Sequence, residues 1–213
     1  MNSLIFHNKE YQPEVRYLSE IKEVVFDQDW LKKVNLQTPL YYMYRSLMLK
    51  EGLRYDITVI PPLMLGREFV KTKGHFHPAE FGEIYEVLQG EAFYLMQKLK
   101  PGSENDIEDV YVVQAKAGQK IIIPAYYGHT TINPSKTETL KMANWVCNEF
   151  KSLYQPYEEY QGACYYFTQD GWLKNQRYFS VPNLRFENPS VFEPEKTLED
   201  LKDDLIKLAF LKK

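Results

Sequence analysis

Two histidines one residue apart, His75 and His77, stand in the stretch T-K-G-H-F-H-P-A-E-F-G-E-I-Y-E-V-L-Q-G that runs from Thr72 to Gly90. In extended backbone, successive side chains alternate between faces, so a strand over 71–77 presents both imidazoles on one side. A carboxylate follows at Glu83, and a third imidazole, His129, comes after the β-branched run Ile121-Ile122-Ile123-Pro124. An isolated His-x-His is more often a polar strand face than a ligand pair. With Glu83, Gly90 and His129 downstream, the balance moves to a divalent metal site. Three imidazoles and one carboxylate, with no thiolate, suit Fe, Mn, Ni, Co or Zn. Four protein ligands on a six-coordinate cation leave positions open, as catalysis requires.

Three carboxylates compete for the fourth place. Glu80 falls in the turn expected over 78–82. Glu83 and Tyr85 share parity on the strand that follows, and Glu86 faces the other way, so spacing favours Glu83. His7 stands alone and reads as a surface or capped histidine.

The elements that must position these groups are short strands. The pattern predicts strands over 40–48, 57–60, 83–88, 91–98, 110–114, 119–124 and 140–147. Pro61-Pro62 ends the second, because neither proline donates to a ladder. Residues 69–72 lead into the histidine pair, Gly90 and Ala117-Gly118 are turns, and Gly128-His129 is a corner. Strands at this spacing, punctuated by Gly and Pro, predict a mainly β sandwich or barrel. Neither G-x-G-x-x-G nor a Walker motif is present, so a nucleotide-binding parallel sheet has no support. A short helix is expected within 17–27, with Ser19 as N-cap. An amphipathic helix is expected over 197–211, with apolar residues at 198, 201, 205 and 208 and Thr197-x-x-Asp200 as capping box. Residues 151–195 carry six tyrosines and Trp172, and would cover the barrel or form a dimer contact.

Composition narrows the class. Hydrophobic residues at 44% and charged residues at 26% are ordinary for a soluble globular chain, and a net charge of −3 gives no electrostatic case for nucleic acid. Cys147 and Cys164 make no disulfide framework. The first ten residues lack the basic and apolar regions of a signal peptide, and no apolar run approaches the ~20 residues of a membrane-spanning helix. A cytoplasmic protein with no membrane partner is expected.

The pattern His75-x-His77…Glu83-x6-Gly90, then Gly118-x5-Pro124…His129-x3-Asn133, resembles the two motifs of the cupin superfamily. In this sequence Gly128 lies four residues after Pro124 instead of two. A longer pattern is similar to the cupin-type glucose-6-phosphate isomerases of archaea and some bacteria. It reads Thr58-x-x-Pro61…Gly66-x-Glu68…Thr72-x-Gly74-His75-x-His77…Glu83-x-Tyr85, then Pro124-Ala125-x3-His129-x3-Asn133, and covers roughly 55–135. The resemblance implies a double-stranded β-helix, or jelly-roll barrel, in a single domain over 1–213. Its core would span about 40–180, with an N-terminal extension over 1–39 and a C-terminal tail with its helix over about 185–213. It implies one divalent metal ion on His75, His77, Glu83 and His129, and interconversion of glucose 6-phosphate and fructose 6-phosphate. By the same resemblance Glu83 also carries the proton, Tyr85 lies near the sugar, and Thr58, Thr72, Gly74 and Tyr126 take the phosphate. A homodimer is implied as well. The family's substrate-contacting histidine beyond the last ligand has no counterpart, since no histidine follows His129. Two rival readings use the same metal site: another cupin enzyme such as a dioxygenase, and a sugar-phosphate-binding module without turnover.

Overall fold

The strand-forming runs build two sheets that share one core, antiparallel throughout except for one parallel edge strand, Arg185–Glu187. A computed structural model describes residues 3–78 and 80–212. Ten strands frame the site: β1 (Glu14–Tyr17), β2 (Pro39–Lys50), β3 (Leu53–Ile60), β4 (Glu83–Gln89), β5 (Glu91–Leu99), β6 (Ile107–Lys116), β7 (Lys120–Ile123), β8 (Gly128–Ile132), β9 (Leu140–Cys147) and β10 (Arg185–Glu187). The first sheet has the order β7-β4-β9-β3-β2-β1 and the second β8-β5-β6-β10. Between β4 and β9 the chain changes sheet at β5, β7, β8 and β9, which winds the strands into a mainly β jelly roll. Tyr94 on β5 joins the two sheets: its hydroxyl donates to Met142 Sδ on β9 at 3.3 Å, and its ring lies 5.3 Å from that of Tyr85 on β4.

The first sheet is covered on both faces. Its outer face carries Tyr55, Ile57, Ile84 and Trp145, packed against Leu198, Leu201, Leu208 and Leu211 of the C-terminal tail. Trp145 Nε1 donates to the Leu198 carbonyl at 2.6 Å, and the Leu198 N–H donates to Glu86 at 2.6 Å. The inner face carries Arg54, Asp56, Thr58, Glu83, Tyr85 and Asn144, which line a cavity. The polar side of these alternating strands therefore points inward.

Three sequence expectations change. The helix over 197–211 is two 3₁₀ segments, Asp200–Asp203 and Leu205–Lys212. The Thr197–Asp200 reciprocal bonds form as expected, at 2.9 and 3.2 Å. What seats on the sheet, however, is the pairs Leu198/Leu201 and Leu208/Leu211, and a three-residue period eclipses i with i+3. The helix within 17–27 is replaced by the 3₁₀ turns Leu18–Glu20 and Lys22–Val24, because the Leu18 and Ser19 N–H groups are drawn to the carbonyls of Thr38 and Leu36 at 2.9 and 2.8 Å. Gly128-His129 is the start of β8 instead of a corner. Cys147 and Cys164 are both buried and unpaired. Among the described residues no helix is long and apolar enough to cross a membrane.

Candidate metal centre

The histidine pair is held by β8. Residues 70–77 run antiparallel to it, with the Thr72 N–H donating to the Thr131 carbonyl at 2.9 Å. His75 and His129 exchange backbone hydrogen bonds at 3.1 and 2.9 Å, which sets the two residues directly opposite one another. Phe76 points the other way and is pinned on its far side by paired backbone bonds with Leu153 at 3.0 and 2.8 Å. Two glycines make this approach possible. A Cβ on Gly74, whose φ is +80°, would lie 2.4 Å from the Tyr157 ring, and one on Gly128 would lie 2.7 Å from the Phe76 ring.

Alternation then delivers His75 and His77 to the same side, and β4 brings Glu83 to meet them. His75 Nε2 lies 3.2 Å from His77 Nε2. Glu83 Oε2 lies 3.3 Å from His77 Nε2 and 3.4 Å from His129 Nε2. All four donor atoms fall within 4.8 Å of one another. His77 Nδ1 stands 3.1 Å from the Phe81 carbonyl. A carbonyl only accepts, so Nδ1 carries the proton and Nε2 turns a bare lone pair inward. Glu83 divides its two oxygens. Oε1 accepts from Asn144 Nδ2 at 2.7 Å, whereas Oε2 is buried and has no hydrogen-bond partner. Lone pairs converging on one point, with an orphaned buried carboxylate oxygen among them, fit a divalent cation.

The electrostatics agree with a ligand set. Burial first, then the charges of His77, Arg45 and Arg54, hold His75 well below the ordinary imidazole range. Burial first, then His75, does the same for His129. Burial alone would raise the Glu83 carboxyl, but the neighbouring His77 and His129 outweigh it and leave it lowered. Burial and the Glu83 charge push the Tyr85 phenol well up, so it remains a donor, 3.3 Å from His129 Nε2.

The four side chains open onto a cavity of about 500 Å³. Thr58, Thr72, Gly74 and Tyr85 line it together with the tetrad. Tyr126 does not. Its backbone is in the left-handed region (φ +68°), its ring is 52% exposed, and its hydroxyl donates to Glu80 at 2.7 Å on the outer surface. The next residue, Tyr127, donates its hydroxyl to Asp109 at 2.6 Å. The motifs also left out Arg45, Arg54, Asp56 and Asn144, all on the cavity wall. A signal for two of them was present: once Thr58 faces the cavity, period two places Asp56 and Arg54 beside it.

A model of the family described as glucose-6-phosphate isomerase (GPI) matches residues 16–183, well beyond the 55–135 stretch that holds the motifs. The chain belongs to the glucose-6-phosphate isomerase family. Among relatives, the glucose-6-phosphate isomerase of Thermococcus litoralis is 33% identical over 124 residues, covering 56% of this chain and 62% of that protein. The glucose-6-phosphate isomerase of Pyrococcus horikoshii is 32% identical over 124 residues, with the same two coverages. The chain thus spans about three-fifths of the length of the curated relatives it matches. Among solved structures, a recombinant oxalate oxidase in complex with glycolate overlaps at a TM-score of 0.42 with 20% identity, covering 56% of this chain and 58% of that one. Within this member of the glucose-6-phosphate isomerase family, His75, His77, Glu83 and His129 form one cluster that could hold a metal ion.

Proposed function

We propose that this chain interconverts glucose 6-phosphate and fructose 6-phosphate with one divalent cation held by His75, His77, Glu83 and His129. The observation that carries the reading is the convergence of those four donors at the wall of a cavity large enough for a small sugar phosphate. When bound there, a divalent cation supplies Lewis-acid stabilisation of negative charge on neighbouring sugar oxygens. The isomerisation moves one proton between C2 and C1 and a second between O2 and O1 while that charge develops.

The chain's own groups do the rest. Glu83 turns Oε2 toward the histidines, and Oε1 accepts from Asn144 at 2.7 Å. Glu83 lines the cavity, where a carboxylate can take the proton from one carbon and return it to the next. The lowered carboxyl keeps Glu83 ionised and ready to accept. Tyr85, held protonated, donates toward a sugar oxygen beside His129. Thr72 Oγ1 accepts from the Thr131 N–H at 3.0 Å and lies 3.3 Å from Thr130 Oγ1, and a phosphate oxygen would take its proton in place of that second threonine. Thr58 and Gly74 stand on the same wall. The homodimer is part of the proposal, and light scattering at twice 25.3 kDa checks it.

The test is a coupled assay for glucose 6-phosphate formed from fructose 6-phosphate, before and after EDTA, with Mn, Fe, Ni or Zn restored. Turnover that vanishes with chelation and returns with metal is expected. Tight sugar-phosphate binding without conversion would overturn the enzymatic reading in favour of a binding module.

A further inference from the structure

Arg45 lies outside every motif that carries the family resemblance, yet the fold goes out of its way to aim it. Strand β2 loses register with β3 between Tyr44 and Met48, a bulge that contains Arg45 and Ser46, and Ser46 sits at φ +55°. Bulges re-aim side chains and are frequent beside functional sites. The Ser46 N–H donates to Asp56 Oδ1 at 2.7 Å. Asp56 is 3% exposed, and its Oδ2 accepts from Arg54 Nε at 2.8 Å and lies 3.6 Å from Arg45 Nη1. One buried carboxylate thus stands between two guanidinium groups.

The fork of Arg45 is under-used. Its Nε donates to Glu14 at 3.1 Å, its Nη2 faces Met43 Sδ at 3.2 Å, and its Nη1 has only the distant Asp56 oxygen. Sulfur is a weak acceptor, and a guanidinium offers five N–H donors. Met43 pairs with Thr58 across the sheet, so the fork reaches over the thioether beside the Thr58 hydroxyl. Arg45, Met43, Arg54, Asp56 and Thr58 all line the cavity that holds the tetrad.

The span suits one ligand. On β9, Val146 is paired with Arg54 on one side and with Glu83 on the other, and Asn144 likewise with Asp56 and Tyr85. The backbone of Arg54 therefore stands two strand spacings, about 10 Å, from the backbone that carries Glu83, and that of Arg45, on β2, one spacing further. A neutral sugar would give this wall nothing of opposite charge to meet. A dianion in a confined cavity needs full counter-charge in addition to hydroxyl dipoles.

The geometry points to Arg45, braced by Asp56 and Arg54, as the specificity-determining residue that takes the terminal phosphate of an extended sugar phosphate whose carbonyl end lies against the tetrad. This rests on the isomerase reading above and adds to it a guanidinium for the phosphate. Arg16, Lys73 and Lys151 also line the cavity; Lys73 is paired with Glu158 at 2.6 Å, and Arg16 with Glu20 at 3.1 Å, as Arg45 is with Glu14, but of these cations only Arg45 is aimed by a strand bulge and lies beside the buried Asp56.

The test compares the full chain with Arg45→Met and Arg45→Lys, using fructose 6-phosphate and fructose as paired substrates and inorganic phosphate as the probe in calorimetry. Arg45→Met should narrow the preference for the phosphorylated sugar, expressed as the ratio of kcat/KM values, by about 10- to 100-fold, chiefly through KM, the worth of a hydrogen bond to a charged group. Inorganic phosphate should bind more weakly by a similar factor, and Arg45→Lys should fall between, because it keeps the charge and loses the fork. An unchanged ratio and unchanged phosphate binding in folded Arg45→Met overturns the inference. If that variant does not fold, the same result in Arg45→Lys overturns it. If the wild-type chain turns over neither sugar but binds phosphate in an Arg45-dependent way, the isomerase reading fails and the phosphate assignment stands.

Discussion

Asn144 Nδ2 donates to Glu83 Oε1 at 2.7 Å across adjacent strands of the first sheet, and both residues are buried. This bond fixes which oxygen of Glu83 faces the histidines. Asn144→Leu keeps the volume and leaves Oε1 buried and unpaired, at a cost of about 1–3 kcal/mol in stability. Metal affinity should fall by about 10- to 100-fold, as when an outer partner of a ligand is lost. Metal titration alongside chemical denaturation checks both, and a variant that binds metal like the wild type contradicts the positioning role.

Glu83→Gln separates the two duties proposed for one side chain. An amide can still offer an oxygen lone pair, but it cannot carry a proton between carbons. Turnover should drop by about 10²–10⁴-fold, the usual worth of a general base. Measuring bound metal in the same preparation distinguishes lost chemistry from a lost ligand. A near-normal rate with metal in place would remove Glu83 as the proton carrier.

The metal-stripped chain should be acid-sensitive. Burial first, then neighbouring positive groups, keeps His75 and His129 well below the ordinary imidazole value when folded. As pH falls, the unfolded chain takes up protons on these residues before the folded chain does. Their contribution is therefore fully present above the unfolded value of 6.5 and declines as pH drops from there toward the folded values. Urea midpoints of chelated protein between about pH 8 and about pH 5 should fall on the acid side. Restoring metal at about a hundredfold over its Kd should add about 2.7 kcal/mol. A midpoint that is flat with pH and indifferent to metal would contradict the buried, ligand-ready state of the tetrad.

Gly74→Ala tests the packing behind the histidine pair. The added methyl meets the Tyr157 ring at 2.4 Å on a backbone with φ +80°. Overpacking of this kind costs about 1–3 kcal/mol, with a further penalty of about 1–2 kcal/mol for the left-handed backbone. Thermal unfolding should show the loss, and metal retention should fall with it, because the residue that shifts is bonded directly to His75. Undiminished metal binding would show that the tetrad does not depend on this contact.

Much of the site was legible because local rules suffice for it. Period two put His75 and His77 on one face and Glu83 with Tyr85 on another, and the described tetrad obeys both. The proline stop after Ile60 and the strand Leu140–Cys147 are likewise local facts. What one chain direction cannot contain is which face of a strand meets solvent. The run Arg54-Tyr55-Asp56-Ile57-Thr58-Val59 alternates polar and apolar, and taken alone its polar side belongs in water. Only when the tail lays Leu198, Leu201, Leu208 and Leu211 over the apolar side does the polar side become the wall of a cavity. The same long-range packing turns an expected helix into 3₁₀ segments. Spacing along the chain decided which side chains travel together, and burial, which depends on segments more than a hundred residues apart such as Glu86 and Leu198, decided what they face.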